Sequence, residues 1–148
     1  MTYYRERLLP GPWAFINTGL LIPASLLVFL PINTQVGVAV AIILYAAAVI
    51  VLIITSPVVS VTDTQLIAGR ARIPLTNVGE ITGFVGKEAT EERMLRLDAR
   101  AWLVIRGWID PVAKIEILDE RDPAPYWLVS TRRPAALISA VADARTRS

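Results

Sequence analysis

Two apolar stretches near the N-terminus decide the fold: WAFINTGLLIPASLLVFL at residues 13–30 and VGVAVAIILYAAAVIVLII at residues 36–54. The residues between them, PINTQ at 31–35, are typical of a turn. At 1.5 Å per residue, each stretch forms a helix about as long as the roughly 30 Å hydrocarbon core of a bilayer. Because the connection is so short, the two helices must be antiparallel. The sequence therefore predicts a transmembrane hairpin.

Charged residues are confined to the chain outside this hairpin. None occurs from position 8 to position 62, and only three of the 15 basic and 13 acidic residues precede that block. The contrast divides the chain into residues 1–57, an N-terminal tail with the hairpin, and residues 58–148, a soluble domain. The soluble domain has 13 basic and 12 acidic residues. This near balance argues against nucleic-acid binding.

The chain of 148 residues contains no His and no Cys. Without Cys it has no disulfide, no thiolate nucleophile and no thiolate metal site. Without His it lacks the commonest general base near neutral pH and the commonest transition-metal ligand. The adjacent acids at 91–92 and 119–122 lie in polar segments, where carboxylates are usually solvated. We therefore predict that the protein is not an enzyme and holds neither a cofactor nor a metal ion.

Basic residues flank the hairpin on both sides and are absent from its loop. Arg5 and Arg7 precede the first helix, and Arg70 and Arg72 follow the second. Since basic residues near membrane ends mark the cytoplasmic side, both termini are expected in the cytoplasm. The predicted location is the cytoplasmic (inner) membrane, with two spans.

A cleaved signal peptide is the alternative for the first apolar stretch. Its charged region would be residues 3–7, and its apolar region would begin at Trp13. The stretch is longer than a usual signal peptide core, and a second span follows at once. Both features favour a retained helix.

Small residues in the hairpin allow close helix approach. Gly37 and Ala41 lie one turn apart on the second helix. They either pack the hairpin against itself or offer a docking face to another membrane subunit, and a homo-oligomer is compatible with the second case. In the first helix, Pro23 is expected to cause a kink because it lacks an amide hydrogen.

The soluble domain changes to short strand-like runs at about ten-residue spacing, which favours an antiparallel barrel or sandwich. The runs are residues 58–62, 65–68, 72–75, 78–84, 94–97, 102–105, 115–117 and 126–130. Residues 86–92 are polar and predict a loop. A helix is predicted from Pro134 to about Ala144, with Leu137 and Val141 on its apolar face. The expected fold is a mostly-β barrel of seven or so strands, capped by this helix.

Three segments of the soluble domain resemble the bacterial pleckstrin-homology-like domain. They are VTDTQL at 61–66, IPLTNV at 73–78 and WLVSTRRP at 127–134. The resemblance runs from about residue 58 to 145 and implies the capped barrel.

The chain as a whole resembles an uncharacterised family of small actinobacterial membrane proteins. The similarity rests on YRERL at 4–8, ARAWLVIRGWI at 99–109 and PYWLVSTRRP at 125–134. It implies an architecture and no catalytic activity.

Four arginines are candidate contacts for a phosphate or a lipid headgroup. Arg132 and Arg133 precede a helix N-terminus, where free amides attract anions. Arg70 and Arg72 follow the membrane segment closely enough to contact anionic headgroups. The alternative is that these arginines pair with Asp63, Glu80 or Asp122, or only set the topology.

The tryptophans are candidate anchors for a protein partner. Trp102 and Trp127 lie within predicted strands and are expected in the core. Trp108 follows Gly107 at the end of a strand, so it is the candidate for an exposed contact.

Together these patterns predict a non-enzymatic integral membrane protein, an accessory or assembly subunit. Its cytosolic pleckstrin-homology-like module would bind a membrane or cytosolic protein near the bilayer, where tethering raises the effective concentration. The alternative is binding of an anionic lipid or a small anion by the same module. No nucleic acid is expected among its partners.

Overall fold

The computed structural model describes residues 1–147, so Ser148, the last residue of the predicted soluble domain, lies outside the described residues. The chain forms two compact units. One is Leu9–Ser56, here called the helical unit. The other, here called the sheet unit, joins Met1–Leu8 to the chain from Pro57 onward. The predicted division at residue 57 leaves the N-terminal tail with the hairpin, whereas strand pairing places it in the sheet unit.

The helical unit contains α1 (Pro12–Gly19), α2 (Leu21–Phe29) and α3 (Thr34–Ile54). The break between α1 and α2 lies at Leu20, one turn before Pro23. Pro23 has no N–H to donate to the carbonyl of Gly19, so the helical ladder is interrupted there. The predicted kink is therefore a break between two helices.

The α3 helix begins two residues earlier than predicted because Asn33 caps it. The side-chain oxygen of Asn33 accepts from the backbone N–H groups of Gln35 at 2.9 Å and Val36 at 3.2 Å. Two helical segments, Pro12–Phe29 and Thr34–Ile54, are long and apolar enough to cross a membrane. Only 6% and 11% of the residues in their apolar windows are buried within the chain, and the others are half-buried or exposed.

The sheet unit opens with a four-stranded antiparallel sheet in the order β1-β2-β3-β4. Its strands are β1 (Thr2–Arg7), β2 (Val58–Thr62), β3 (Gln65–Ala68) and β4 (Ala71–Pro74). The β1 strand was not expected, because the N-terminal residues carry alternating charges and no hydrophobic run. It pairs with β2, with Arg7 opposite Val58 and Glu6 opposite Val59.

A second four-stranded sheet has the order β5-β7-β8-β6. Its strands are β5 (Val78–Phe84), β6 (Trp102–Val104), β7 (Val112–Ile117) and β8 (Tyr126–Ser130), and β6 alone runs parallel to its neighbour. The two sheets do not close into the predicted barrel. Pro74 ends β4, and a 3-10 turn at Leu75–Asn77 carries the chain from the first sheet to the second.

The C-terminal helix α5 (Pro134–Arg147) packs against β1, β2 and β5, and hence against strands of both sheets. Its buried residues include Leu137 and Val141, as predicted. These join the strand residues Val59, Leu66, Ile115 and Trp127 in one core. Trp102, by contrast, is 40% exposed rather than in the core, because β6 is an edge strand.

The segment predicted as a loop and a strand forms α4 (Gly86–Met94). It packs Ala89 in a small cluster with Val112, Tyr126 and Leu128 of the second sheet. The helix was missed because only Ala89 supplies an apolar inward position. Residues 94–97 are consequently not a strand.

Candidate functional site

Both connections to the helical unit leave the sheet unit side by side. The N–H of Leu8 donates to the carbonyl of Pro57 at 2.9 Å, and the preceding Arg7 lies opposite Val58 in the sheet. Leu8 and Pro57, the residues from which the chain continues into Leu9–Ser56, therefore lie next to each other. We call that place, where Leu8 and Pro57 lie, the connection end.

The turn between β3 and β4 lies at the connection end. The N–H of Gly69 donates to the carbonyl of Val58 at 2.9 Å, and Gly69 has a φ of 64°, which favours glycine. Arg70 follows in the same turn and is exposed. Arg72 is the second residue of β4, where it is exposed and lies opposite Ile67. The structure therefore brings Arg70 to the connection end and Arg72 close behind it.

The second sheet contributes the segment after β6 to the same end. A Cβ built on Gly69 would lie 3.7 Å from the side chain of Val104, which places the end of β6 beside the β3–β4 turn. The N–H of Arg106 then donates to Ser130 Oγ at 2.9 Å. Trp108 Nε1 donates to the carbonyl of Leu8 at 3.3 Å. The Trp108 ring is 41% exposed, so the tryptophan is fixed at the connection itself with much of its surface open.

The start of α5 reaches the connection end through a buried carboxylate, Glu6, which is 7% exposed. Glu6 Oε2 accepts from the hydroxyls of Tyr4 at 2.5 Å and Thr131 at 2.6 Å. Glu6 Oε1 accepts from the backbone N–H of Arg132 at 3.1 Å, and the Arg132 guanidinium lies 3.6 Å away. Arg132 thus pairs with an acid that the sequence alternatives did not include.

The titration of this cluster follows from its burial and its hydrogen bonds. Burial raises the pKa of Tyr4 to about 12, and the hydrogen bond to Glu6 adds to that effect. Burial also tends to raise the pKa of Glu6, but the hydrogen bonds from Thr131, Tyr4 and the Arg132 N–H outweigh it and lower the pKa. An ionised Glu6 therefore fastens the N-terminal strand to the start of α5.

Arg133 lies beside this cluster and is exposed. Its guanidinium lies over the ring of Tyr4, 5.9 Å from the ring centroid. The backbone N–H of Arg133 donates to Thr131 Oγ1 at 3.2 Å. The connection end therefore carries several arginines from four separate segments of the chain. They are Arg7, Arg70, Arg106, Arg132 and Arg133.

The opposite end of the sheet unit has mixed charge. Asp63 follows β2 there and pairs with the N-terminal amine. Asp119 accepts from the side-chain amide of Asn77 at 3.1 Å. The last turn of α5 lies there and includes Arg145, whose guanidinium donates to the carbonyls of Val78 and Gly79. Arginines therefore predominate at the connection end and alternate with acids at the opposite one.

The candidate contacts Gly37 and Ala41 are buried within the helical unit. A Cβ added to Gly37 would lie 3.3 Å from Phe29 Cβ, so α2 covers this position. Of the two alternatives, packing of the hairpin against itself is the one that these contacts support.

A second buried carboxylate, Glu92, lies on the inward face of α4. It accepts from Lys114 Nζ at 3.0 Å and from the Arg96 guanidinium at 3.1 Å, and Lys114 lies over the Tyr126 ring at 4.4 Å. Burial tends to raise the pKa of Glu92, but Lys114 and Arg96 lower it. No group of three or more side chains able to hold a metal ion occurs in the described part of the chain.

A family model described as "Protein of unknown function (DUF3093)" matches residues 3–141. The chain belongs to the DUF3093 family. The match confirms the resemblance of the whole chain to a family of unknown function. No curated protein and no solved structure matches the chain.

In this DUF3093 protein the matched region includes β1, the hairpin and the start of α5. It therefore contains every arginine of the connection end and all three partners of Glu6, which are Tyr4, Thr131 and Arg132. Sequence reasoning found Arg70, Arg132, Arg133 and Trp108 but missed Glu6 as a buried group. The signal was present in the alternation of Tyr4 and Glu6, which place their side chains on one face of a strand.

Proposed function

We propose that the protein is a two-span integral membrane protein that presents the sheet unit as a non-enzymatic cytosolic module for protein interaction. The proposal is supported by the pairing of β1 with β2. These strands flank two apolar helical segments in the sequence, and few residues of those segments are buried. A protein of this design is an accessory or assembly subunit.

The strand pairing supports a topology with both termini on one side of the membrane. Hydrogen bonds join Thr2–Arg7 to Val58–Thr62, so these strands must fold in the same compartment. This requirement is independent of charge, yet it agrees with the basic residues that flank the hairpin on the cytoplasmic side. Cleavage within the first helix would release β1 together with Glu6, which argues for a retained helix.

The non-enzymatic character is supported by the use of the buried ionisable groups. Glu6 joins β1 to α5, and Glu92 joins α4 to the second sheet through Lys114. Each carboxylate is held ionised by several donors, an arrangement typical of structural clusters rather than of a general acid or base near neutral pH. For the module itself we propose the pleckstrin-homology-like relationship, supported by two sheets joined by a C-terminal helix.

Cysteine accessibility tests the topology cleanly, because the chain has no Cys of its own. Gln35→Cys places a thiol in the exposed first turn of α3, next to the hairpin loop, and Glu120→Cys places one on the exposed surface of the sheet unit. A membrane-impermeant maleimide added to intact cells should label Gln35→Cys, and Glu120→Cys only after permeabilisation. Labelling of Glu120→Cys in intact cells, or release of the chain by alkaline carbonate, contradicts the proposal.

The interaction role is tested by affinity purification from a detergent extract, followed by mass spectrometry. A partner recovered in stoichiometric amount, and lost on exchange of the sheet unit for an unrelated domain, is the expected result. Repeated recovery of this chain alone argues against an accessory role.

A further inference from the structure

The connection end collects basic side chains that are far apart in sequence. Arg7 ends β1, Arg70 lies in the β3–β4 turn, Arg106 follows β6, and Arg133 immediately precedes α5. Arg7, Arg70 and Arg133 are exposed, and Arg106 is half-buried. Only the tertiary fold brings these four segments to one end of the sheet unit.

The acids at the connection end are already bonded to other groups. Glu6 is buried under Tyr4 and Thr131. Asp110 accepts from the Arg93 guanidinium at 3.2 Å and from the N–H of Gly86 at 2.7 Å. The exposed arginines therefore outweigh the acids, and the surface is complementary to anions.

Trp108 adds a side chain that prefers the border between water and lipid. Its ring N–H is fixed to the carbonyl of Leu8, so the exposed part of the ring stands where the chain leaves the sheet unit. Tryptophan is enriched at membrane–water interfaces because its body is apolar and its N–H is polar.

The linkers are short. Three residues separate Leu8 from the start of α1, and two separate the end of α3 from Pro57. Fully extended, these segments span at most about 13 Å and about 10 Å. These lengths limit how far Leu8 can lie from the start of α1 and Pro57 from the end of α3.

We infer that the connection end is a membrane-docking surface whose ligand is the anionic phospholipid headgroup layer of the leaflet that the hairpin crosses. Arg70 and Arg133 face the phosphates and Trp108 inserts at the interface, whereas the half-buried Arg106 guanidinium donates to the carbonyl of Ile105 at 2.9 Å. Arg132 has a different role, because it is paired with Glu6. The inference rests on the proposed membrane insertion and adds the orientation of the sheet unit on the membrane.

The test uses the full chain reconstituted in nanodiscs of neutral phosphatidylcholine, or of phosphatidylcholine with phosphatidylglycerol. Gly107→Cys carries an environment-sensitive fluorophore next to Trp108, at a position where an added Cβ meets no heavy atom within 4 Å. Glu120→Cys, on the loop after β7, carries the control fluorophore. The Gly107 probe should shift to the blue and be quenched by brominated lipid, several-fold more strongly in anionic discs. The Glu120 probe should not respond.

Charge reversal then tests which arginines contact the anionic headgroups. Arg70→Glu with Arg133→Glu should abolish the difference between anionic and neutral discs at the Gly107 probe. Arg121→Glu, an exposed arginine in the loop between β7 and β8, is the matched control and should leave the difference intact.

The outcomes separate this inference from the proposed function. Equal Gly107 signals in neutral and anionic discs overturn the assignment of an anionic ligand, and so does a response unchanged by the double reversal. Either result leaves the hairpin topology standing if Gln35→Cys and Glu120→Cys label as expected. Failure of that labelling overturns the membrane insertion itself.

Discussion

Glu6 and Glu92 are both buried carboxylates, but the two regions around them are built differently. Glu6 is held by two hydroxyls and a backbone N–H, with the partly exposed Arg132 guanidinium farther away at 3.6 Å, at a junction between chain segments more than 120 residues apart. Glu92 is held by two cations that are partly exposed, Lys114 and Arg96. The first junction closes the core of the sheet unit, whereas the second fastens one polar helix onto its outside. Their stability should therefore depend differently on burial and on salt.

The largest effect is expected in the core beside the first junction. Leu137→Asp places an unpaired charge at a fully buried position of α5 and should cost at least about 4 kcal/mol, enough to unfold the sheet unit. Thermal unfolding of the full chain in detergent measures it, with the exposed Ser139→Asp as the control. A cooperative transition that survives in Leu137→Asp contradicts the role of α5 in closing the core.

At the Glu6 junction, Glu6→Gln removes a charge that accepts three hydrogen bonds and should cost about 2 kcal/mol. Because the cluster is buried, this loss should change little between low and high salt. Denaturant unfolding at the two salt concentrations measures it, and Arg5→Gln on the exposed face of β1 is the control. A loss that disappears in high salt would show that long-range charge, not the cluster, is responsible.

At the Glu92 junction, Glu92→Gln should cost about 1 kcal/mol at low salt, since its partners are partly exposed and screened by water. The loss should shrink in high salt, unlike that of Glu6→Gln. Glu88→Gln, exposed on the same helix, serves as the control. Equal salt responses of Glu6→Gln and Glu92→Gln would remove the contrast between the two regions.

An effect of similar size, about 1 kcal/mol near neutral pH, is expected from Tyr4→Phe, which removes one hydroxyl. The pH dependence of the free energy of unfolding distinguishes this variant from the others. Because the pKa of folded Tyr4 is raised to about 12, its stabilisation is complete below pH 10 and is lost as the pH rises through 12. Tyr4→Phe should lack this alkaline loss.

At acid pH the free energy of unfolding changes in the opposite direction, because it falls as the pH is lowered. The lowered pKa of Glu6 gives stability that is present above its ordinary pKa of 4.5 and is lost as the pH falls through the folded value. Glu6→Gln should therefore show a shallower acid limb than the unchanged chain. Identical acid limbs contradict an ionised, hydrogen-bonded Glu6.

Regular sequence patterns predicted many of the elements well. The strands at 58–62, 65–68, 78–84 and 126–130 and the helix from Pro134 are where their alternation or period places them. At 58–62 and 65–68 every second residue is buried, which gives the sequence a period of two. The strand at 126–130 is buried throughout and shows a short, mostly apolar run instead.

The errors have a common physical cause. β1 is stabilised by pairing with a strand more than 50 residues later, and α4 by the ion pairs of the buried Glu92. Neither requires a local apolar pattern. The prediction of a closed barrel was wrong for a related reason. The 3-10 turn at Leu75–Asn77 takes the chain from the first sheet to the second and so decides which strands can pair. A fragment cut at residue 58 would lack β1 and its Glu6.

The sequence by itself determined the two apolar helices, their antiparallel course and most of the strands, because hydrophobic length and period are local properties. Only the tertiary structure decided where the charged residues of the flanks go. Strand pairing across the hairpin turns Glu6 inward, draws Arg132 to it, and gathers Arg7, Arg70, Arg106 and Arg133 with Trp108 at one end. Contacts between residues so far apart depend on register and packing, which leave no pattern along the chain.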